Sequence, residues 1–228
     1  MFLELEYAYA ALCFPFGVVW VLFYYFSPEN RAKLLKVSIT RAPFGILLDC
    51  IYTSDYWRPK SFLFVEVGEK MLMAESFLFA FFLSGIAAIA YKVFFRKVEA
   101  DNLKQGPSTL SVRVGYFAAI IFSLVLMKLG VNSIYSTAIC YGALGVALVV
   151  YEPKLLPCSF FTSSFVSVLM FAIYLTGRAS VTNIEEILRS WWLLYDTGLD
   201  HRIFNIPLTE LIWGLGYGFT AGARQNML

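Results

Sequence analysis

Charge is scarce in this chain: 15% of its 228 residues are Asp, Glu, Lys or Arg, while 59% are hydrophobic and 18% aromatic. That shortage excludes an ordinary soluble domain, in which charged residues make up about a quarter of the chain. Histidine occurs once, at His201, and the four cysteines, Cys13, Cys50, Cys140 and Cys158, contain no CxxC pair. Neither a zinc site nor a disulfide framework is indicated, and the cysteines read as small core residues. A net charge of +2 without a basic block gives no reason to invoke nucleic acid. No nucleotide-binding motif occurs either, so neither a cofactor nor a metal is expected. The start, Met1 to Glu6, is acidic where a signal peptide would be basic, so the first apolar stretch is expected to stay in the mature protein.

What the chain has instead is apolar runs that approach the ~20 residues a helix needs to cross a bilayer. About seven are expected, over Tyr7 to Phe26, Ser38 to Thr53, Met71 to Phe95, Val112 to Leu129, Ser133 to Tyr151, Cys158 to Thr176 and Phe204 to Ala223. The second is short and spans only if Arg41 snorkels; a re-entrant segment is the alternative. The Gly106-Pro107 pair reads as a turn, and the polar stretch from Gly177 to Asn205 reads as a loop. The fold class is therefore all-α, a polytopic transmembrane helical bundle.

The last run carries a carboxylate. Pro207 suits a first helical turn, which places Glu210 about one turn inside the helix, and Gly214, Gly218 and Gly222 follow it at four-residue spacing. Acid and glycines share one face, and a small-residue face lets another helix approach closely. An ionisable group in a membrane segment costs a few kcal/mol and is a functional candidate by default. Glu75 stands early in the third run, and Asp49 lies inside the second.

Counting Lys and Arg on alternate sides of seven spans puts eleven on one side and seven on the other. The bias places the N-terminus outside and the C-terminus in the cytoplasm, with Glu75 and Glu210 both entering from the outer side. Trp57 precedes Glu75 by eighteen residues, and Trp192 precedes Glu210 by eighteen. The spacing suggests two parallel three-helix repeats, 1–97 and 131–228, joined by one extra helix in 98–130, with their acids at one depth.

The second copy reads Ile206-Pro-Leu-Thr-Glu210 and then Leu-Ile-Trp213. The first reads Ala74-Glu-Ser-Phe-Leu-Phe-Ala-Phe-Phe82, preceded by Leu48-Asp49 and Tyr56-Trp-Arg-Pro59. These residues resemble the integral-membrane lycopene cyclase domain family, the small bacterial, archaeal and fungal type with two three-helix units and a Pro-Leu-Glu-Glu motif. Thr209 stands where the family has the first glutamate of that pair, and the first copy lacks the proline. The resemblance implies a prokaryotic cytoplasmic membrane protein acting on a carotenoid or other isoprenoid by acid-initiated, non-redox ring closure. Such a reaction needs a protonated carboxylic acid, a second carboxylate as base, and aromatic faces for the cation. Glu210 or Glu75 would be the acid, and the other or Asp49 the base. Trp57, Trp192, Trp213, Phe79 and Tyr217 would face the cation, with Asn205 among the substrate-binding residues.

Blander readings accompany each of these. Asp49 could pair with a basic residue, Trp57, Trp191 and Trp192 could be interfacial belt residues, and Phe77 to Phe82 could be core and lipid contact. Glu185 and Glu186 read as a solvated helix start after Thr182, and His201 has no spaced metal-ligand partner. The alternative function is a non-catalytic membrane subunit that binds lipid or pigment or braces membrane-protein partners. A transporter on parallel repeats is a third class.

Overall fold

A computed structural model describes residues 7–68, 70–95, 109–179 and 184–224 of the chain. The acidic start, Arg96 and Lys97, the Gly106-Pro107 turn and Thr182 lie outside the described residues. The helices are α1 (Ala8–Phe26), α2 (Arg31–Tyr52), α3 (Ala74–Phe94), α4 (Thr109–Lys128), α5 (Ser133–Tyr151), α6 (Leu156–Ala179), α7 (Ile184–Trp191) and α8 (Leu208–Ala223). Two antiparallel hairpins accompany them, β1 (Phe64–Val67) with β2 (Lys70–Met73), and β3 (Arg202–Ile203) with β4 (Ile206–Pro207). The protein is an all-α helical bundle.

Among the described residues, four stretches are long and apolar enough to cross a membrane: α1, α3, α5 and Pro153–Gly177, which contains most of α6. In α4 the apolar part is the shorter Val114–Lys128. The 16 residues of α8 extend only about 24 Å at 1.5 Å per residue, against a hydrocarbon core of about 30 Å. Outward apolar faces fit a lipid solvent, as on α1, where Phe14, Val18, Val21 and Leu22 are exposed while Cys13 and Phe16 are buried.

Local chemistry moves three expected boundaries. Helix α2 begins at Arg31 rather than Ser38, because Pro28–Asn30 forms a single 3-10 turn instead of a long loop. Ser27 Oγ donates to Glu29 Oε1 at 2.7 Å and Asn30 Nδ2 to Ser27 Oγ at 2.8 Å, which holds that turn closed. The run expected to be helical from Met71 starts as a strand, because the apolar stretch on both sides of Gly68 (φ 62°) folds into a hairpin. The last run is not helical from Phe204, and Pro207 ends β4 rather than opening α8. Phe204 (φ 52°) and Asn205 (φ 59°) are both left-handed, the backbone of a two-residue hairpin turn.

The chain forms two compact units. The first contains Met1–Ile86 and Leu169–Leu208, the second Ala87–Val168 and Thr209–Leu228. In the first, Trp20 of α1 donates from Nε1 to Ser38 Oγ of α2 at 2.9 Å and lies against Phe81 and Phe82 of α3. Gly45 of α2 rests on the Ser76 carbonyl in the first turn of α3, with Ala80 beside it; a methyl group there would overlap backbone. In the second, α8 packs its glycines on neighbouring helices as their spacing predicts. Gly218 lies on Thr162 and Ser163 of α6, and Gly222 on Cys158 and Ser159. Ser163 Oγ donates to the Leu215 carbonyl at 2.7 Å and Ser167 Oγ to Leu211 at 3.2 Å, tying α6 to α8 by hydroxyl–carbonyl bonds.

Candidate active site

Asp49 lies near the C-terminal end of α2, one turn beyond the Gly45 contact, so the close approach of α2 to α3 carries its carboxylate to the first turn of α3. There Oδ1 accepts from Ser76 Oγ at 2.7 Å and Oδ2 from the Met73 N–H at 2.8 Å. Ser76 Oγ also lies 3.1 Å from the Tyr9 hydroxyl of α1. A serine has a single hydroxyl proton, so when Asp49 takes it, Tyr9 is the donor to Ser76. Tyr9, Ser76 and Asp49 thus form a hydrogen-bonded chain across three helices. Asp49 and Ser76 are 4% exposed each.

Glu75, beside Ser76, is 0% exposed. Its Oε2 accepts from Ser61 Oγ at 2.5 Å and its Oε1 from the Phe62 N–H at 3.2 Å, both donors from the strand-like segment leading into β1. Cys13 of α1 reaches the Glu75 carbonyl at 3.5 Å through Sγ. Among the described residues neither Asp49 nor Glu75 has an ion-pair partner; each is held by neutral donors. The pairing of Asp49 with a basic residue is therefore not the arrangement adopted. Arg58 instead donates from Nε and Nη2 to the Thr53 carbonyl at 3.0 and 2.8 Å, while Thr53 Oγ1 donates to the Asp49 carbonyl at 2.6 Å. These bonds satisfy carbonyls left open at the end of α2.

The two tryptophan-bearing turns pair with each other. Trp57 and Trp192 form an isolated antiparallel bridge, flanked by Arg58 N–H to the Trp191 carbonyl at 2.7 Å and Leu193 N–H to the Tyr56 carbonyl at 2.9 Å. Trp57, Trp191 and Trp192 are all buried, which does not suit an interfacial belt. The Trp57 ring meets Trp191 edge-on at 5.6 Å and Tyr9 at 6.2 Å, so an aromatic wall runs from the bridge to the hydrogen-bonded chain that ends on Asp49. The indole N–H groups of Trp191 and Trp192 are buried without an acceptor among the described residues.

Polar residues brace this bridge from outside. Arg202 of β3 holds Asp200 at 2.6 Å and Glu185 of α7 at 3.1 Å, and its guanidinium lies 4.6 Å from the Tyr195 ring centre and 5.9 Å from that of Trp192. The Tyr195 hydrogen bond, followed by Arg202, holds the Glu185 carboxyl below its usual range. Burial would raise Asp200, but the hydrogen bonds from Arg202 and the Asp196 N–H outweigh it and leave it lowered. Arg202 is raised in turn, chiefly by its bond to Asp200. His201 is exposed, and its carbonyl accepts the Leu208 N–H at 2.8 Å at the start of α8.

The second unit holds a separate group of expected residues. Glu210 is buried in the first turn of α8 beside buried Thr209. Trp213 stacks on Tyr217 at 5.1 Å with their planes 1° apart, and Tyr141 of α5 meets both edge-on at 6.1 and 5.5 Å. Of the remaining expected residues, Phe79 meets Phe16 edge-on at 5.2 Å, and Asn205 occupies the β3–β4 turn. The first unit thus contains Asp49, Glu75, Trp57, Phe79, Trp192 and Asn205, and the second Glu210, Trp213 and Tyr217. Sequence reading missed Tyr9, Ser61, Ser76 and Gly45. Ser38, Ala42 and Gly45, small residues at helical spacing along α2, were the one local signal, and the three hydroxyls carried none.

Long apolar helices with outward apolar faces mark a helical membrane protein, and in its first unit Asp49 and Glu75 are buried and, among the described residues, held by neutral donors. Residues 132–227, from the N-cap of α5 past the end of α8, match the sequence model of the lycopene cyclase family, and the chain resembles that family. The match takes in Glu210, Tyr141, Trp213 and Tyr217; Asp49 and Glu75 precede it. It supports a carotenoid cyclase-like function. No curated protein and no solved structure matches the chain.

Proposed function

We propose that the protein closes the acyclic end of a carotenoid or related isoprenoid into a ring, by acid-initiated isomerisation within the bilayer and with no cofactor. The observation that carries this reading is the lycopene cyclase family match over 132–227. In the reaction a carboxylic acid donates its proton to a terminal double bond, leaving a tertiary cation. The π electrons of a neighbouring double bond attack that cation and form the ring C–C bond. A carboxylate then removes a ring proton, so the product is an isomer of the substrate. Glu75 and Glu210 are the candidate acids, and Asp49 is the candidate base for Glu75. The Ser76 and Tyr9 hydroxyls, in line with Asp49, give the collected proton a route out once their O–H bonds turn away from the carboxyl group. Trp57, which meets the Tyr9 end of that line, its bridge partner Trp192, Phe79 on the same helix as Glu75, and Trp213 and Tyr217 on the same helix as Glu210 are the faces for the cation, worth ~2 kcal/mol or more each when desolvated. Asn205 is a substrate contact from the β3–β4 turn.

The chain is read as two repeats, 1–97 and 131–228, with 98–130 connecting them. What supports the repeat is that a tryptophan turn, a hairpin and a helix with an acid in its first turn follow one another in the same order twice. The Lys and Arg count supports an N-terminus outside and a C-terminus in the cytoplasm of a prokaryotic cytoplasmic membrane.

Expression in a cell that accumulates lycopene tests the reading. Cyclic carotenoids should appear, and Glu75→Gln and Glu210→Gln should each reduce them by at least ~100-fold, the scale of a lost general acid. Membrane-inserted protein that forms no ring from lycopene or from shorter polyprenyl chains overturns it. A second reading, a non-catalytic subunit that binds lipid or pigment and braces membrane-protein partners, is favoured by Thr209, buried where the family carries a carboxylate. It predicts that Glu210→Gln damages assembly and leaves no turnover to lose.

A further inference from the structure

The β1–β2 hairpin projects apolar side chains in a way that neither water nor the hydrocarbon core suits. Its inner strand, β2, packs along α2, whereas β1 is paired with β2, and among the described residues its outer edge has no strand partner. No residue of β1 is buried. Phe62 is 49% exposed, Leu63 58%, Val65 63% and Val67 58%, and Phe64 is exposed on the opposite face from Val65. A strand with one face in water alternates apolar and polar residues, and an exposed apolar edge strand in water is a site of aggregation. Deep hydrocarbon is equally unsuitable, since the unpaired N–H and C=O groups along the outer edge of β1 would each cost several kcal/mol there. Charged Glu66 and Lys70 add to that cost, and Lys70 Nζ is hydrogen-bonded to Ser54 Oγ. Both demands are met at one depth only, where acyl chains begin and headgroups and water still reach the backbone. The hairpin also joins a lipid-facing surface: Phe62 stacks on Tyr7 at the head of α1, 6.2 Å between ring centres, and Phe14 further along α1 is 72% exposed.

We infer that the β1–β2 hairpin is seated in the headgroup–acyl boundary of the bilayer, with Phe62, Leu63, Val65 and Val67 in the acyl chains and the outer edge of β1 hydrogen-bonded to headgroups and water. This rests on the protein being a membrane protein and not on its being a cyclase. The seat has a consequence for the acid, because Ser61 and Phe62, the two donors to Glu75, are the root of the same hairpin. Lipid contact and the hydrogen bonds of Glu75 therefore belong to one segment.

The test places an environment-sensitive fluorophore on Val65→Cys, and separately on Leu63→Cys, in the full chain carrying Cys50→Ala to remove the exposed native thiol. Both sites are exposed side chains, so the labels displace no core residue. The protein is placed in nanodiscs of phosphatidylcholine and phosphatidylglycerol, with nitroxide lipids labelled near the headgroup or near the chain end, and iodide as the aqueous quencher. Phe14→Cys serves as the lipid reference and Gly198→Cys, in open space, as the water reference. Labels at positions 63 and 65 should be quenched at least about twofold more strongly by the shallow nitroxide than by the deep one, as expected for side chains buried 5–10 Å. Iodide quenching equal to that at position 198, with position 14 still in lipid, overturns the proposal and leaves the membrane assignment intact. Strongest quenching by the deep nitroxide also overturns it. Should position 14 itself report water, the membrane assignment fails and the proposal with it.

Discussion

Replacing Gly45 by alanine tests whether close helix contact builds the acid site. Alanine in a helix interior is ordinarily favoured over glycine by about 1 kcal/mol, and at Gly142 of α5, where an added methyl group meets nothing within 4 Å, that gain should appear in full. At Gly45 the same methyl group would fall on the Ser76 carbonyl and lie 2.8 Å from the Ala80 Cβ. Backbone cannot rotate aside as a side chain can, so α2 and α3 must separate, at about 1–3 kcal/mol for overpacking. Since the propensity gain is common to both variants, the difference between Gly45→Ala and Gly142→Ala should be about 1–3 kcal/mol. Separation also lengthens the bonds from Ser76 Oγ and the Met73 N–H to Asp49, now 2.7 and 2.8 Å, so cyclisation should fall with stability in Gly45→Ala but not in Gly142→Ala. Reversible unfolding in mixed detergent micelles, followed by helical circular dichroism, measures the first, and pigment yield the second. Equal stability of the two variants would refute the argument that this contact places Asp49.

Ser76→Ala removes the hydroxyl between Tyr9 and Asp49 and leaves a buried carboxylate oxygen short of a donor, a loss of about 1–3 kcal/mol read in the same unfolding assay. Combined with Tyr9→Phe it should cost less than the sum of the two, because each change already breaks the chain. Trp57→Ala takes a buried ring from between Tyr9 and Trp191 and should cost about 3–5 kcal/mol, while the exposed Phe26→Ala changes little. Glu185 and Asp200 are held below their ordinary values of 4.5 and 3.8, so the stability they lend to α7 and the β3–β4 hairpin is complete above those values. It is lost as pH falls through the lowered ones. Amide exchange in α7 should therefore quicken in that acid range relative to exchange in α5, and Arg202→Gln should weaken the pH dependence without abolishing it, because Tyr195 still donates to Glu185; an unchanged profile in the variant would show that Arg202 does not brace the helix.

Hydrophobicity alone marks the long helices because lipid admits few alternatives for a long apolar run, whereas α7, Ile184–Trp191, lies in the polar stretch read as a loop and is not marked by it. The limits of α5, Ser133–Tyr151, are legible to the residue, since Gly130 is left-handed at φ 88°, Asn132 caps the start by accepting the Ile134 N–H at 3.1 Å, and Glu152-Pro153 ends it. The hairpins are not legible in the same way. A short apolar run such as Phe62 to Met73 fits strand or helix equally until its neighbours are known. Pro207 misleads for a related reason: proline tolerates both the first turn of a helix and the end of an edge strand.

The candidate carboxylates Asp49, Glu75 and Glu210 stand out in the sequence because charge inside an apolar run is costly wherever the chain folds. Their hydrogen-bond partners do not, because Ser61, Ser76 and Tyr9 are ordinary residues until packing brings them within reach. Sequence by itself determined a chain of membrane-length helices with acids buried among them. Only the tertiary structure decided that Trp57 pairs with Trp192, that Gly45 lets Asp49 reach Ser76, and that Glu75 is held from the root of a hairpin. The first kind of property depends on each segment's own solvation; the second depends on short-range bonds between segments distant in the chain, whose partners no local pattern encodes.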